Sequence, residues 1–257
     1  DQLGGNLFPS AILSVATTNA EIIEPMEGNC LGNPKASLAI RLTPSRSNAV
    51  VRIELAETPF FARSVSSFVL PEKGKEYIIY PDILWHYDAL RNNVQAEPIS
   101  VAINVEVDGK DWGQKVRTFS VRSINECLIG YVKQLPNERT KFVSTRLFYA
   151  AYVNEENPLI DKILREALNT RIVSKFLGYQ AGTEKAVDRQ VYALWHALQK
   201  RKFSYSSVSY SSLSSNMVYA QRVRTFEDAL NSSQINCVDG SVLFASLLRA
   251  INITPVL

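Results

Sequence analysis

At 257 residues the chain is long enough for two domains of ordinary size, and its composition is that of a folded globular protein. Its 28 basic and 25 acidic side chains nearly balance and are interspersed, so nothing in the charge points to nucleic acid or an anionic membrane as partner. No apolar run approaches the roughly 20 residues of a membrane span. The start, Asp1-Gln-Leu-Gly-Gly-Asn6, has no basic region followed by an apolar core, so a signal peptide is either lacking or already removed.

From Ala11 to about Ile124 the hydrophobic period is two, with frequent Pro, Gly, Asn and Asp, which predicts strands and no helix. Leu38, Ile40 and Leu42 alternate with Ala39 and Arg41; after a turn-rich Pro44–Asn48, Val51, Ile53 and Leu55 alternate with Arg52 and Glu54. Each pattern has one buried and one wet face. The alternation is clearest at Ile99, Val101, Ile103, Val105 and Val107, followed by a turn region Asp108–Gly113 and a returning strand from Val116 to Val121. Short strands over residues 1–124 predict an antiparallel β-sandwich, immunoglobulin-like in pattern but without the Cys…Trp…Cys spacing of antibody domains. Trp85-His86-Tyr87 and Trp112 are read mainly as core or cross-strand aromatics, with a recognition patch as the minor reading.

Residues 125–257 shift to helical spacing. Asn157-Pro158 is an N-cap followed by proline at the first helical position, ahead of Ile160, Ile163, Leu164 and Ala167 on one face. Thr183 opens a longer helix with Val187, Val191, Leu194, Trp195 and Leu198 at helical spacing; His196 beside that stripe reads as a packing residue. The stretch Phe203–Asn216 is serine-rich but carries Phe203, Tyr205, Val208, Tyr210 and Leu213, so it is either a cleft wall or a packed connection. Thr225-Phe-Glu-Asp228 has the capping-box pattern of a short helix.

The chain culminates in a helix from Cys237, apolar on most sides and hence buried, with Asn236 as N-cap and Asn252 as a left-handed stop. That placing sets Cys237 beside unpaired N–H groups and the positive end of the helix dipole, a setting that favours a thiolate nucleophile. Cys30, Cys127 and Cys237 match no disulfide scaffold and, with only two histidines, no metal site; Cys30 and Cys127 are read as free thiols, a bridge between them being the lesser alternative. No cofactor is called for. Gln221 is a candidate oxyanion donor, Asn236 and Asp239 candidate cleft residues, and Arg222 and Arg224 a solvated face.

Asn236-Cys-Val-Asp239, then Leu243, Leu247-Leu-Arg-Ala250 and Ile253-Thr-Pro255, resembles the Cys-x-Asp, leucine-rich helix and Arg-Ala-x-Gly-Ile-Pro signature of the transglutaminase-like superfamily of papain-type cysteine enzymes, with Asn252 in place of the usual glycine. The likeness covers roughly residues 148–257, and its specific core is the last two dozen. It implies an α+β multidomain protein in which the β-sandwich precedes the mainly helical half of a transglutaminase-like domain. Cys237 would attack an amide carbonyl of a protein or peptide substrate, activated by a histidine and an aspartate on later strands. No histidine follows Cys237, and the chain ends at Leu257 where the first of those strands is expected. Three readings stay open: a portion of a longer amidase, peptidase or acyltransferase completed by a downstream segment, which is favoured; a chain completed by another polypeptide; or a degenerate module that binds protein or glycan. The immunoglobulin-like half resembles domains that precede such modules in secreted bacterial proteins, which implies an extracytoplasmic location, periplasmic or at the cell surface.

Overall fold

The computed structural model describes residues 3–17, 28–33, 35–134, 139–207, 211, 213 and 215–256, so Val208 and Tyr210 of the serine-rich stretch lie outside the described residues. The protein is a mixed α+β structure with several sheets. It forms two compact units, one of Asp1–Ile124 with Tyr131–Phe142, the other of Asn125–Gly130 with Val143–Leu257.

The first unit is built on a five-stranded sheet. Its strands are β1 (Asn6–Leu7), β4 (Ala49–Leu55), β6 (Ser64–Leu70), β9 (Glu97–Val107) and β10 (Lys110–Val121), in the order β1-β10-β9-β4-β6. A three-stranded sheet holds β2 (Cys30–Gly32), β7 (Tyr77–Tyr80) and β3 (Ile40–Leu42), in the order β2-β7-β3, and a small pair joins β5 (Phe61–Ala62) to β8 (Leu84–Trp85). Strand alternation translates directly into burial: Val51, Ile53 and Leu55 of β4 are fully buried and join Ile79 of β7 and Val101 of β9 in one apolar core. Burying each such side chain contributes about 1.5–3 kcal/mol.

The β9–β10 connection is tighter than the turn region read from the sequence. Asp108 and Gly109 both have positive φ (53° and 77°), a two-residue turn whose twist matches the strands, and Lys110 already pairs with Val107. The Gly113 region is instead an irregularity within β10, where the register shifts between Asp111 and Gln114. Arg46 donates to the Asp108 carboxylate, which also accepts the Val50 N–H at 2.9 Å; the guanidinium, followed by that backbone bond, lowers the Asp108 pKa to about 2.

Two helices correct the expectation of strands alone. α1 (Pro9–Thr17) begins on a proline, a helix-start signal that the mixed apolar run behind it obscured, and it buries Ile12 and Leu13. α2 (Tyr87–Asn92) is too short for a period to show and buries Leu90. Trp85 is a cross-strand aromatic, opposite Phe61 with ring centroids 5.3 Å apart and planes at 81°. Trp112 is exposed on β10, and the His86 Nδ1 lies 3.2 Å from the Pro59 carbonyl oxygen.

The second unit contains the start of β11 (Glu126–Gln134) and the end of β12 (Thr140–Ser144), which form a three-stranded sheet with β14 (Val218–Arg222) in the order β12-β11-β14. Its helices are α3 (Pro158–Asn169), α4 (Glu184–Lys200), α5 (Phe226–Ser232) and α6 (Cys237–Ala250). The caps read from the sequence are formed: Asn157, Thr183 and Thr225 each accept a first-turn N–H with the side-chain oxygen. Ile160 and Ile163 of α3, Leu194 of α4 and Leu243 and Leu247 of α6 are buried together. Near the far end of α6, Asn252 is left-handed (φ 59°). Against it sits Gly178, also at positive φ, where an added Cβ would lie 2.5 Å from the Ile251 carbonyl oxygen.

Candidate active site around Cys237

A parallel pair of short strands, β13 (Ser204–Tyr205) and β15 (Gln234–Ile235), delivers the chain to the start of α6. There the cap is reciprocal. The Asn236 Oδ1 accepts the Asp239 N–H at 2.8 Å, and the Asp239 Oδ2 accepts the Asn236 N–H at 2.9 Å. The Asn236 Nδ2 also donates to the Arg222 carbonyl at 3.3 Å, tying the helix start to β14.

Asp239 does more than complement the helix dipole. Its Oδ1 accepts the Arg224 N–H and its Oδ2 the Arg224 Nη1, both at 2.8 Å, while the Arg224 Nη2 donates to the Ser206 hydroxyl at 2.8 Å. The two side chains are 9% and 1% exposed, so this is a buried ion pair, and Arg224 is not the solvated residue it was read as. Arg222 is exposed. Asn236 and Asp239, taken from the sequence as cleft candidates, are both buried and committed to positioning the helix start.

Cys237 itself is an exposed free thiol at the first residue of α6. The N–H of Gly240 bonds the Asn236 carbonyl and that of Asp239 is capped, which leaves the N–H groups of Cys237 and Val238 without an acceptor among the described residues. The thiol opens on a groove of about 790 Å³ whose walls include Trp195, Leu198, Phe203, Tyr205 and Phe244, so the start of the serine-rich stretch does wall a cleft. Two of these wall residues, Trp195 and Phe244, meet edge to face with centroids 6.1 Å apart.

Gln221 on β14 is partly buried, and its Oε1 accepts the Tyr149 hydroxyl at 2.6 Å. Tyr149 lies in a 3₁₀ segment, Arg146–Tyr152, which Thr145 anchors to β11 through bonds to the Leu128 and Ile129 carbonyls. Burial above all pushes the Tyr149 pKa up to about 12; negative charge on Cys127 and Cys237 adds to this and Arg146 opposes it. The hydroxyl therefore stays a donor, holding the Gln221 carbonyl and turning the amide N–H pair to other acceptors.

His196 is half-buried on α4 and stacks on Tyr192, with centroids 5.9 Å apart; it does not line the groove at Cys237. His86 belongs to the first unit. Cys30 and Cys127 are free thiols, the latter fully buried. Among the described residues no three His, Cys, Asp or Glu side chains are grouped to hold a metal ion, and no helix is long and apolar enough to cross a membrane. Sequence reasoning missed Tyr149 and Ser206 and misread Arg224; the roles of the three rest on partners 72, 18 and 15 residues away. No protein-family model matches the chain, and no curated protein matches it either.

Proposed function

We propose that the second unit is the nucleophile-bearing portion of a transglutaminase-like cysteine amidase, peptidase or acyltransferase, that an immunoglobulin-like β-sandwich precedes it, and that the protein works outside the cytoplasm. The observation that carries the reading is an exposed cysteine at the capped first turn of a buried helix, beside backbone N–H groups that have no acceptor among the described residues. In this reading Cys237 attacks the carbonyl of a peptide or side-chain amide. The oxyanion formed takes hydrogen bonds from the Cys237 N–H and the Gln221 amide, which Tyr149 holds in place. The base that takes the thiol proton and the group that orients it come from outside this chain.

The test is acylation of the full chain by an activated aryl ester, with the acyl-cysteine located by peptide mass spectrometry. Cys237 should acylate far faster than half-buried Cys30. Gln221→Ala should slow the reaction by about 10²-fold, the usual loss for one oxyanion donor. Equal rates at the two thiols, or no effect of Gln221→Ala, would overturn the proposal.

A second reading, a module that binds protein or glycan without chemistry, is favoured by the two histidines, neither of which lines the groove at Cys237. Amide cleavage or crosslinking by this chain, lost in Cys237→Ala, would exclude it.

A further inference from the structure

We infer that the first unit carries a strand-addition site for an extended acidic peptide, at the cleft between the outer edge of β10 and the edge strand β3. The inference does not depend on the chemistry of Cys237. β10 has 12 residues, whereas its outer neighbour β1 has 2 and pairs only with Ser120 and Val121. The direction of the free backbone groups follows from those bonds. The Ser120 N–H donates outward to the Gly5 carbonyl, and the β9 residue opposite Ser120 is Pro98, which has no N–H to exchange. With a period of two, the N–H groups of Val116 and Thr118 face the same outer side, and no acceptor for them exists among the described residues. β3 is likewise the last strand of its sheet among the described residues.

Between these edges lies a cleft of about 560 Å³, walled by Leu7, Leu38, Ile103 and Phe119, and among the described residues Arg41 and Arg117 are the only charged ones that line it. Arg41 meets Glu76 at 3.8 Å with both side chains more than half exposed, an interaction worth little. None of the ion pairs among the described residues uses Arg117. Cations along a sheet edge ordinarily repel indiscriminate pairing. Here they border an apolar cleft and select for sign. An incoming strand accepts the outward N–H groups at Val116 and Thr118, places an apolar side chain in the cleft and sets carboxylates against Arg117 and Arg41. The register shift between Asp111 and Gln114 ends the usable edge on one side, and β1 ends it on the other.

The probe is a blocked hexapeptide alternating glutamate and valine, titrated to millimolar concentration into the full ¹⁵N-labelled chain. Saturable amide shifts should concentrate on residues 115–119 and 39–42. Thr118→Pro removes an outward N–H, a substitution an edge position accommodates, and should weaken binding at least about tenfold. If that variant loses its native circular dichroism, a hexapeptide N-methylated at alternate residues, unable to pair with the edge, should fail against the native chain instead. Arg117→Glu should reverse the preference towards a lysine–valine hexapeptide. No shifts at millimolar peptide, or binding indifferent both to Thr118→Pro and to N-methylation, would overturn the inference. So would shifts at these residues with dodecanoate but not with the peptide, which would make the cleft a small-amphiphile site.

Discussion

Replacing Asp239 by asparagine tests whether a buried ion pair, and not the cap alone, holds Cys237 in place. The carboxylate accepts the N–H groups of Asn236 and Arg224 and one guanidinium donor. Asparagine has nearly the same shape but presents an NH₂ group to at least one of those donors. It also leaves a guanidinium only 9% exposed without its counter-charge. Breaking a buried pair from one side costs about 3–5 kcal/mol. Since 1.4 kcal/mol is a factor of ten, the second unit should open about 10² to 4 × 10³ times more often. Cys127 reports this directly, being fully buried in that unit. Its labelling by a thiol reagent under native conditions, followed peptide by peptide, tracks the open population when reclosing is fast. The matched control is Glu155→Gln, which removes the partner of Arg249 in a pair with 52% and 32% of the side chains exposed and should change labelling less than about fivefold. A fivefold effect or smaller for Asp239→Asn as well would refute the argument.

Gly178→Ala should destabilise the second unit by about 1–3 kcal/mol, seen as a thermal shift of several degrees, because the new Cβ meets backbone oxygen at 2.5 Å and φ is positive. Asp108 gives an acid dependence. Its pKa falls from 3.8 to about 2 on folding, so below about pH 4 the unfolded chain takes a proton that the folded state refuses until about pH 2. The stabilisation it provides is therefore complete above that window and lost as pH falls through it; Asp108→Asn should flatten this part of a urea-midpoint profile. Tyr149 gives the alkaline counterpart. With the folded pKa raised from 10.0 to about 12, the unfolded chain ionises first and stability declines over that interval. Tyr149→Phe should remove a component titrating near pH 12 from the tyrosinate absorbance.

The features legible in the sequence are those whose causes lie within a few residues. Asn157, Thr183, Thr225 and Asn236 announce helix starts because a cap is a bond made two or three positions along the chain. The alternation in β4 and β9 shows which residues face a core, since successive strand side chains point to opposite faces. The same local logic put Cys237 at the first turn of a buried helix. Length limits it: α2 is shorter than two turns, and α1 mixes its apolar residues too evenly for a period to emerge. What the tertiary structure decided is which polar groups meet after the chain has closed long loops. Gln221 is oriented by a tyrosine 72 positions earlier, and Asp239 is joined to Arg224, which is joined in turn to Ser206. Whether Arg224 is a solvated charge or half of a buried pair depends on what folds over it, and no pattern of neighbours along the chain encodes that burial.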